Sequence, residues 1–237
     1  MRLACWAVAA LSILPALGWA ASGTVVVEGR VVPLPPGEWR EVGRGVEVDN
    51  LRYTGQQYRL GKAIFVQEKD GRATAMTVVW AASTNPGTTI NWRVEPVCRR
   101  EDLFAQLSQS TDHRSMDCLA VGAFMPARRR GERVAAEWRG YMDELESRPD
   151  WIPPTWVFAS YRLTDPYNLL AVEYRFSPEA HGFAPDRRAW AANGWNPGNL
   201  DGPRRGFMER VRYWATWARP ALWQAFQRNA GAALPRL

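Results

Sequence analysis

Lysine and histidine are nearly missing from this 237-residue chain. Its only lysines are Lys62 and Lys69, its only histidines His113 and His181, and its only cysteines Cys5, Cys98 and Cys118. No His, Cys or carboxylate pair has the close spacing of a zinc site, and the Asp-x-Asp-x-Asp-Gly pattern of calcium loops is missing, so no metal site is expected. Asp143, Glu144 and Glu146 cluster at a helix end, where they read as a solvated charged face. The glycine patterns that cradle phosphates and dinucleotides are absent, as is the Gly-x-Ser-x-Gly nucleophile elbow, and no cofactor is expected. There is no internal repeat and no low-complexity tract. The net charge of +6 is carried almost wholly by arginine and is scattered along the chain, which does not mark a nucleic-acid binder.

What is present begins with an address. Met1-Arg2 precedes an apolar run from Leu3 to Leu17, broken by Pro15 and Gly18 and followed by small residues up to Ser22. This is the layout of a secretory signal peptide over residues 1–20, with a cut after Ala20. The run is shorter than the roughly 20 residues of a membrane anchor. Export to the periplasm or the medium is expected, and with it an oxidising compartment. Cys5 leaves with the leader, and Cys98 and Cys118 remain as a disulfide pair. A redox-active pair is the alternative, but it lacks the usual spacing of two intervening residues.

Residues 21–237 read as one α+β domain: a largely antiparallel sheet of six to seven strands, with helices packed mainly on one face. Strands are expected at Thr24 to Val32, Trp39 to Val48, Tyr58 to Glu68 and Arg72 to Ala82, with Lys69-Asp70-Gly71 as a hairpin turn. Asn85-Pro86-Gly87 is a further turn, Glu101 to Ser108 a short helix, and Cys118 to Phe124 a buried strand. A helix from Gly131 to Glu146 carries Val134, Trp138, Tyr141, Met142 and Leu145 at helical spacing. Strands around Trp156 to Tyr161 and Leu170 to Phe176 flank a loop at Thr164 to Asn168. A last helix from Arg205 to Arg219 is expected to kink or restart at Pro220.

Three constellations carry possible chemistry. Thirteen tryptophans occur, eleven of them after the leader, and Trp190 and Trp195 flank a loop rich in Asn and Gly. Trp190, Trp195, Asn196, Arg187 and Arg188 are the candidate ligand-binding set: rings to stack on a flat ligand, asparagine to hydrogen-bond it, arginine to pair with carboxylates. Packing of both rings on the core is the structural alternative. Arg128-Arg129-Arg130 and Arg204-Arg205 are further basic clusters, read mainly as solvated faces. Asp112, His113 and Asp117 lie inside the disulfide loop, where His113 could act as a general base. The last helix mixes arginine with Phe207, Val211, Trp214, Trp217 and Trp223. A membrane-surface role requires Trp217 and Trp223 to be exposed together, whereas the stripe Phe207, Val211, Trp214, Ala218 more simply packs on the sheet.

Leu34-Pro35-Pro36-Gly37-Glu38-Trp39, Asn91-Trp92-Arg93 ahead of Cys98, Leu170-Ala171-Val172-Glu173-Tyr174 and the Trp190/Trp195 pair occur in that order. In these landmarks the chain resembles a family of exported, uncharacterised bacterial proteins (periplasmic or secreted). The resemblance implies export and a single domain but no mechanism. Related sequences place a histidine where this chain has Asn196, so the resemblance brings no catalytic histidine to the loop. The resulting expectation is a non-enzymatic exported envelope protein that binds a partner or small ligand through the Trp/Asn/Arg loop. The alternatives are an exported hydrolase built on His113 with Asp112 or Asp117, and a protein associated with the membrane surface. Oligomeric state is not legible in the sequence.

Overall fold

The computed structural model describes residues 20–21, 23–50, 57–83, 92, 96–110, 112, 115–126, 138–229 and 231–237. Expectations for the leader up to residue 19, for Asn85-Pro86-Gly87, His113, Arg128-Arg129-Arg130 and the start of the central helix lie outside them. Ten strands are described: β1 Ala20–Ala21, β2 Thr24–Val27, β3 Arg30–Pro33, β4 Trp39–Asn50, β5 Gln57–Lys69, β6 Arg72–Ser83, β7 Ala105–Gln106, β8 Asp117–Phe124, β9 Trp156–Thr164 and β10 Asn168–Phe176. The α-helices are α1, Arg139–Ser147, and α2, Gly202–Phe226.

Eight strands form one antiparallel sheet in the order β1-β4-β5-β6-β10-β9-β8-β7. Two meanders, β4-β5-β6 and β8-β9-β10, are joined where β6 pairs with β10, Val79 opposite Val172. Asp70 and Gly71 both take positive φ (52° and 73°) at the turn between β5 and β6, as a two-residue hairpin requires. The architecture is the expected α+β one.

Side chains alternate across the sheet, so each face has its own core. On one face Phe65, Val79, Val172, Tyr174 and Val121 meet α2 and the β2–β3 hairpin. Tyr161 donates to the Ala215 carbonyl at 2.6 Å and Tyr174 to the Pro33 carbonyl at 2.7 Å, tying both to the sheet. On the other face Ile64, Val66, Met76 and Val78 meet Tyr141 of α1 and the following Trp151 and Ile152. Among the described residues the long helix α2 is therefore on one face, with α1 and the short 3-10 helix Pro96–Arg99 on the other. Gly140 lets α1 approach β4: a Cβ there would sit 2.3 Å from the Val42 carbonyl oxygen.

Three expected elements differ. The run Thr24 to Val32 is a hairpin, because Glu28 and Gly29 take φ of 46° and 73° and reverse the chain. The short helix expected at Glu101 to Ser108 is replaced by β7 on the sheet edge, where Phe104 N–H donates to Val121 O and Leu107 N–H to Leu119 O. A ladder on an existing strand outweighs the weak propensity of so short a helix. Finally, α2 runs on through Pro220 without restarting. The proline is exposed, while Ala218, Ala221, Leu222, Ala225 and Phe226 continue the buried stripe, and that burial outweighs the lost hydrogen bond.

Candidate functional site

The tryptophan loop is folded inward. The Asp186 carboxylate accepts from the Arg188 guanidinium at 2.6 and 2.9 Å, from Arg188 N–H at 3.1 Å and from Gly194 N–H at 2.8 Å. The Arg188 bond above all, against the effect of desolvation, holds its pKa well below the usual carboxylate range. Asn193 is fully buried, donates to the Asp186 carbonyl at 3.2 Å and accepts from Trp195 N–H at 2.9 Å. Asn196 accepts from Gly198 N–H at 3.0 Å and donates to the Trp190 carbonyl at 3.2 Å. Asn199 closes the loop through the carbonyls of Ala191 and Asn193.

Of the expected ligand set, Trp195 takes the packing alternative. Trp195 is 1% exposed and wedged between Phe183 and Phe207, with the Arg204 guanidinium 5.6 Å from its ring centroid. No flat ligand reaches that ring in this arrangement. Asn196 caps a short 3-10 helix, Arg188 clamps Asp186, and Trp190 is half-buried against the core. Of the five, Arg187 stands furthest out, paired with Asp150 at 3.1 Å.

The disulfide joins Cys98, in the 3-10 helix Pro96–Arg99, to Cys118 on β8, with Cα atoms 5.9 Å apart. Asp117 precedes Cys118 in the strand and so points to the opposite face. There its carboxylate pairs with Arg219 and accepts from Trp223 Nε1 at 3.1 Å, while Arg219 also donates to the Leu107 carbonyl. Asp117 thus latches α2 to the sheet, while its backbone pairs with Ser110 inside the disulfide loop. Asp112 is exposed, its N–H donating to Ser110 Oγ at 3.2 Å.

A second polar cluster, scattered in sequence, lies mid-sheet on the α1 side. Glu173 pairs with Arg175 at 2.7 Å, and Arg162 donates to Ser160 Oγ at 2.9 Å. Arg162 lies over Trp80, 5.2 Å from its ring centroid, and Arg175 over Phe124, at 5.0 Å. Burial works to raise the Glu173 pKa, yet the two arginines hold it below the ordinary value. Two arginines thus share one carboxylate in a largely buried ion cluster.

The concave surface is elsewhere, at the end of the sheet where β5 turns into β6. Two adjoining cavities, of about 320 and 430 Å³, share Lys69, Thr74 and Ala180. The first lies between that turn, residues 150–154 and the strip 177–187; the second is bounded by Pro35 to Gly37, His181 and Arg236. Ser177 Oγ donates to Glu179 at 2.8 Å, and burial raises the Glu179 carboxyl pKa despite that bond. His181 packs on Phe207 at 4.8 Å; burial, then Arg210, lowers its pKa, which favours the neutral ring. Lys69, Arg72 and Arg236 have no carboxylate within salt-bridge distance among the described residues. Trp151, on the wall, carries a buried indole N–H without a hydrogen-bond partner among them. These residues come from five separate stretches of chain, and of the expected set only Arg187 joins them.

Among the described residues no group of three or more His, Cys, Asp or Glu could hold a metal ion, and no helix is long and apolar enough to cross a membrane. Comparison of the chain with protein families, with curated proteins and with solved structures finds no match, so the site is defined by its own geometry.

Proposed function

We propose that this is an exported, non-enzymatic single-domain protein of the cell envelope that binds an anionic small ligand, or an acidic segment of a partner, in the two-cavity cleft. The observation that carries the reading is the cleft itself: adjoining cavities that share Lys69, with Arg72 and Arg236 also on walls that carry Asp70, Asp150 and Glu179, and no carboxylate within salt-bridge reach of the three cations among the described residues. Arginine recognises carboxylate and phosphate groups through paired N–H bonds, so such side chains favour an anionic occupant. The Trp190/Trp195 loop then acts as scaffold. It fixes the wall that carries Pro185 and Arg187 and touches ligand, if at all, through Arg187. The apolar leader and the paired cysteines support an exported, oxidising setting.

The test is an amide chemical-shift titration of the purified protein with inorganic phosphate, citrate and a short acidic peptide. Shifts are expected to concentrate at residues 69–74 and 177–187. Arg72→Glu with Arg236→Glu is expected to weaken the responding probe at least about tenfold, equivalent to one lost charge-assisted contact. Shifts spread evenly over the surface, no shifts with any probe, or an unchanged affinity in the double variant would refute the cleft as the site.

A further inference from the structure

α2 presents two aromatic rings outward. Tyr213 and Trp217 are 65% and 59% exposed, more than any other large apolar side chain among the described residues, and they lie one helical turn apart. Arginine frames them. The Arg212 guanidinium sits 4.4 Å from the Tyr213 ring centroid, and Arg205 and Arg210 are exposed on the same side of the helix axis as Tyr213. Glu209, on the same face, is neutralised by Arg212 at 2.5 Å. Thr216, Pro220 and Gln224 fill the rest of the face without charge. Trp223, expected to share this surface, instead turns inward to Asp117, and Tyr213 takes its place beside Trp217.

We propose that this face docks reversibly on an anionic phospholipid surface. Tryptophan and tyrosine place an apolar ring at the edge of the acyl region and a polar group among headgroups. Arginines around them meet anionic headgroups, and the balance of charge on the face excludes a cationic partner. The inner stripe of α2 is already buried in the core, so only the outward rings enter the interface and the helix binds flat, without folding on contact. Neither ring lines the cleft, although Arg210 reaches the Phe207 ring on which His181, at the cleft rim, also packs.

The experiment is flotation of the purified protein with vesicles of phosphatidylcholine alone and of phosphatidylcholine mixed with phosphatidylglycerol. Co-flotation is expected with the anionic vesicles only. It should be lost at about 1 M salt, where the Debye length falls to roughly 3 Å. Arg210→Gln should weaken partitioning about fivefold. Tyr213→Ser with Trp217→Ser should abolish it while leaving the melting temperature unchanged, since both side chains are mostly exposed. Arg72→Glu, in the cleft, should leave it intact. Equal flotation with neutral vesicles, no flotation with either, or full binding by the Tyr213/Trp217 double variant overturns the proposal. A concentration-dependent dimer that the same double variant abolishes, without vesicle binding, overturns it in favour of a second copy of the chain.

Discussion

Replacing Arg30 separates the two opposing contributions of a buried cation. Its side chain is fully enclosed, and burial, aided by the charge of Arg228, pushes its pKa down from 12.5 to about 10. A depression of that size means that holding the charge there costs about 3 kcal/mol. Against this, the guanidinium donates to the carbonyl of Phe226, the last residue of α2, and to Asn168 Oδ1 at 2.7 Å, and it lies over the Phe226 ring. Charge-assisted bonds of this kind contribute about 1.5–3 kcal/mol each, and a cation at a helix C-terminus adds to them. Arg30→Met retains most of the volume, removes the charge and loses both bonds, so its net destabilisation is expected at about 0–3 kcal/mol. Arg30→Ala also opens a cavity, which adds about 2 kcal/mol or more. Urea unfolding followed by tryptophan fluorescence measures both. An alanine variant within about 0.5 kcal/mol of the unsubstituted protein, the range of ordinary surface changes, would refute the buried placement of Arg30. A methionine variant less stable than the alanine one would refute the division between charge and packing.

Other expectations follow from the same contacts. Arg228, just past α2, is held at φ 62°, so Arg228→Gly should remove strain as well as repulsion on Arg30 and stabilise the fold by about 1 kcal/mol; a lower melting temperature would contradict it. The Cys98–Cys118 bond spans 20 residues, and Cys98→Ser with Cys118→Ser should cost about 3 kcal/mol, while two alkylatable thiols in the unreduced protein would exclude the bond outright. Asp186 and Glu173 have folded-state pKa values below the ordinary 3.8 and 4.5, Asp186 chiefly through Arg188 and Glu173 through Arg175 and Arg162 against its burial. An acid so depressed stabilises the fold above its unfolded pKa and loses that contribution as pH falls through the folded one, so the loss should begin below about pH 4.5. Asp186→Asn should flatten that acid limb in urea titrations at successive pH values; an unchanged slope would show that Asp186 does not contribute to it.

The sheet was legible where local chemistry and tertiary demand agree. Lys69-Asp70-Gly71 announces its turn because Gly71 takes the positive φ that hairpins need. The turn at Glu28 was hidden because a glutamate occupies the first left-handed position inside a run of valines. The edge strand at Ala105–Gln106 exists only because β8 offers a ladder, which no window around residue 105 contains. In the tryptophan loop Asn and Gly suggest an open surface, yet Asn193, Asn196 and Asn199 all bond their own loop's backbone and leave Trp195 to fill the core, the packing alternative. The cleft was not legible at all. Lys69, Trp151, Glu179 and Arg236 share no spacing, and only folding brings them to one end of the sheet.

The pairing of β6 with β10 makes the sheet a zipped seam between two locally wound halves. The first half closes through short turns and the second through the β9–β10 hairpin and a longer connection that carries α1, but the seam joins Ser83 to Asn168 across everything that lies between. The loop-closure entropy of that junction is the largest in the sheet, and in order of assembly the seam is expected to form late. Substitutions at Val79 or Val172 should then chiefly speed unfolding, while those inside β4–β5 or β8–β9 slow folding; the reverse pattern in stopped-flow kinetics would place the seam in the nucleus. Until the seam shuts, the inner edges of both halves stand open as unpaired strands. The vulnerable moment for the emerging chain is therefore the interval before β10 finds β6, when each half can pair with its counterpart in another molecule.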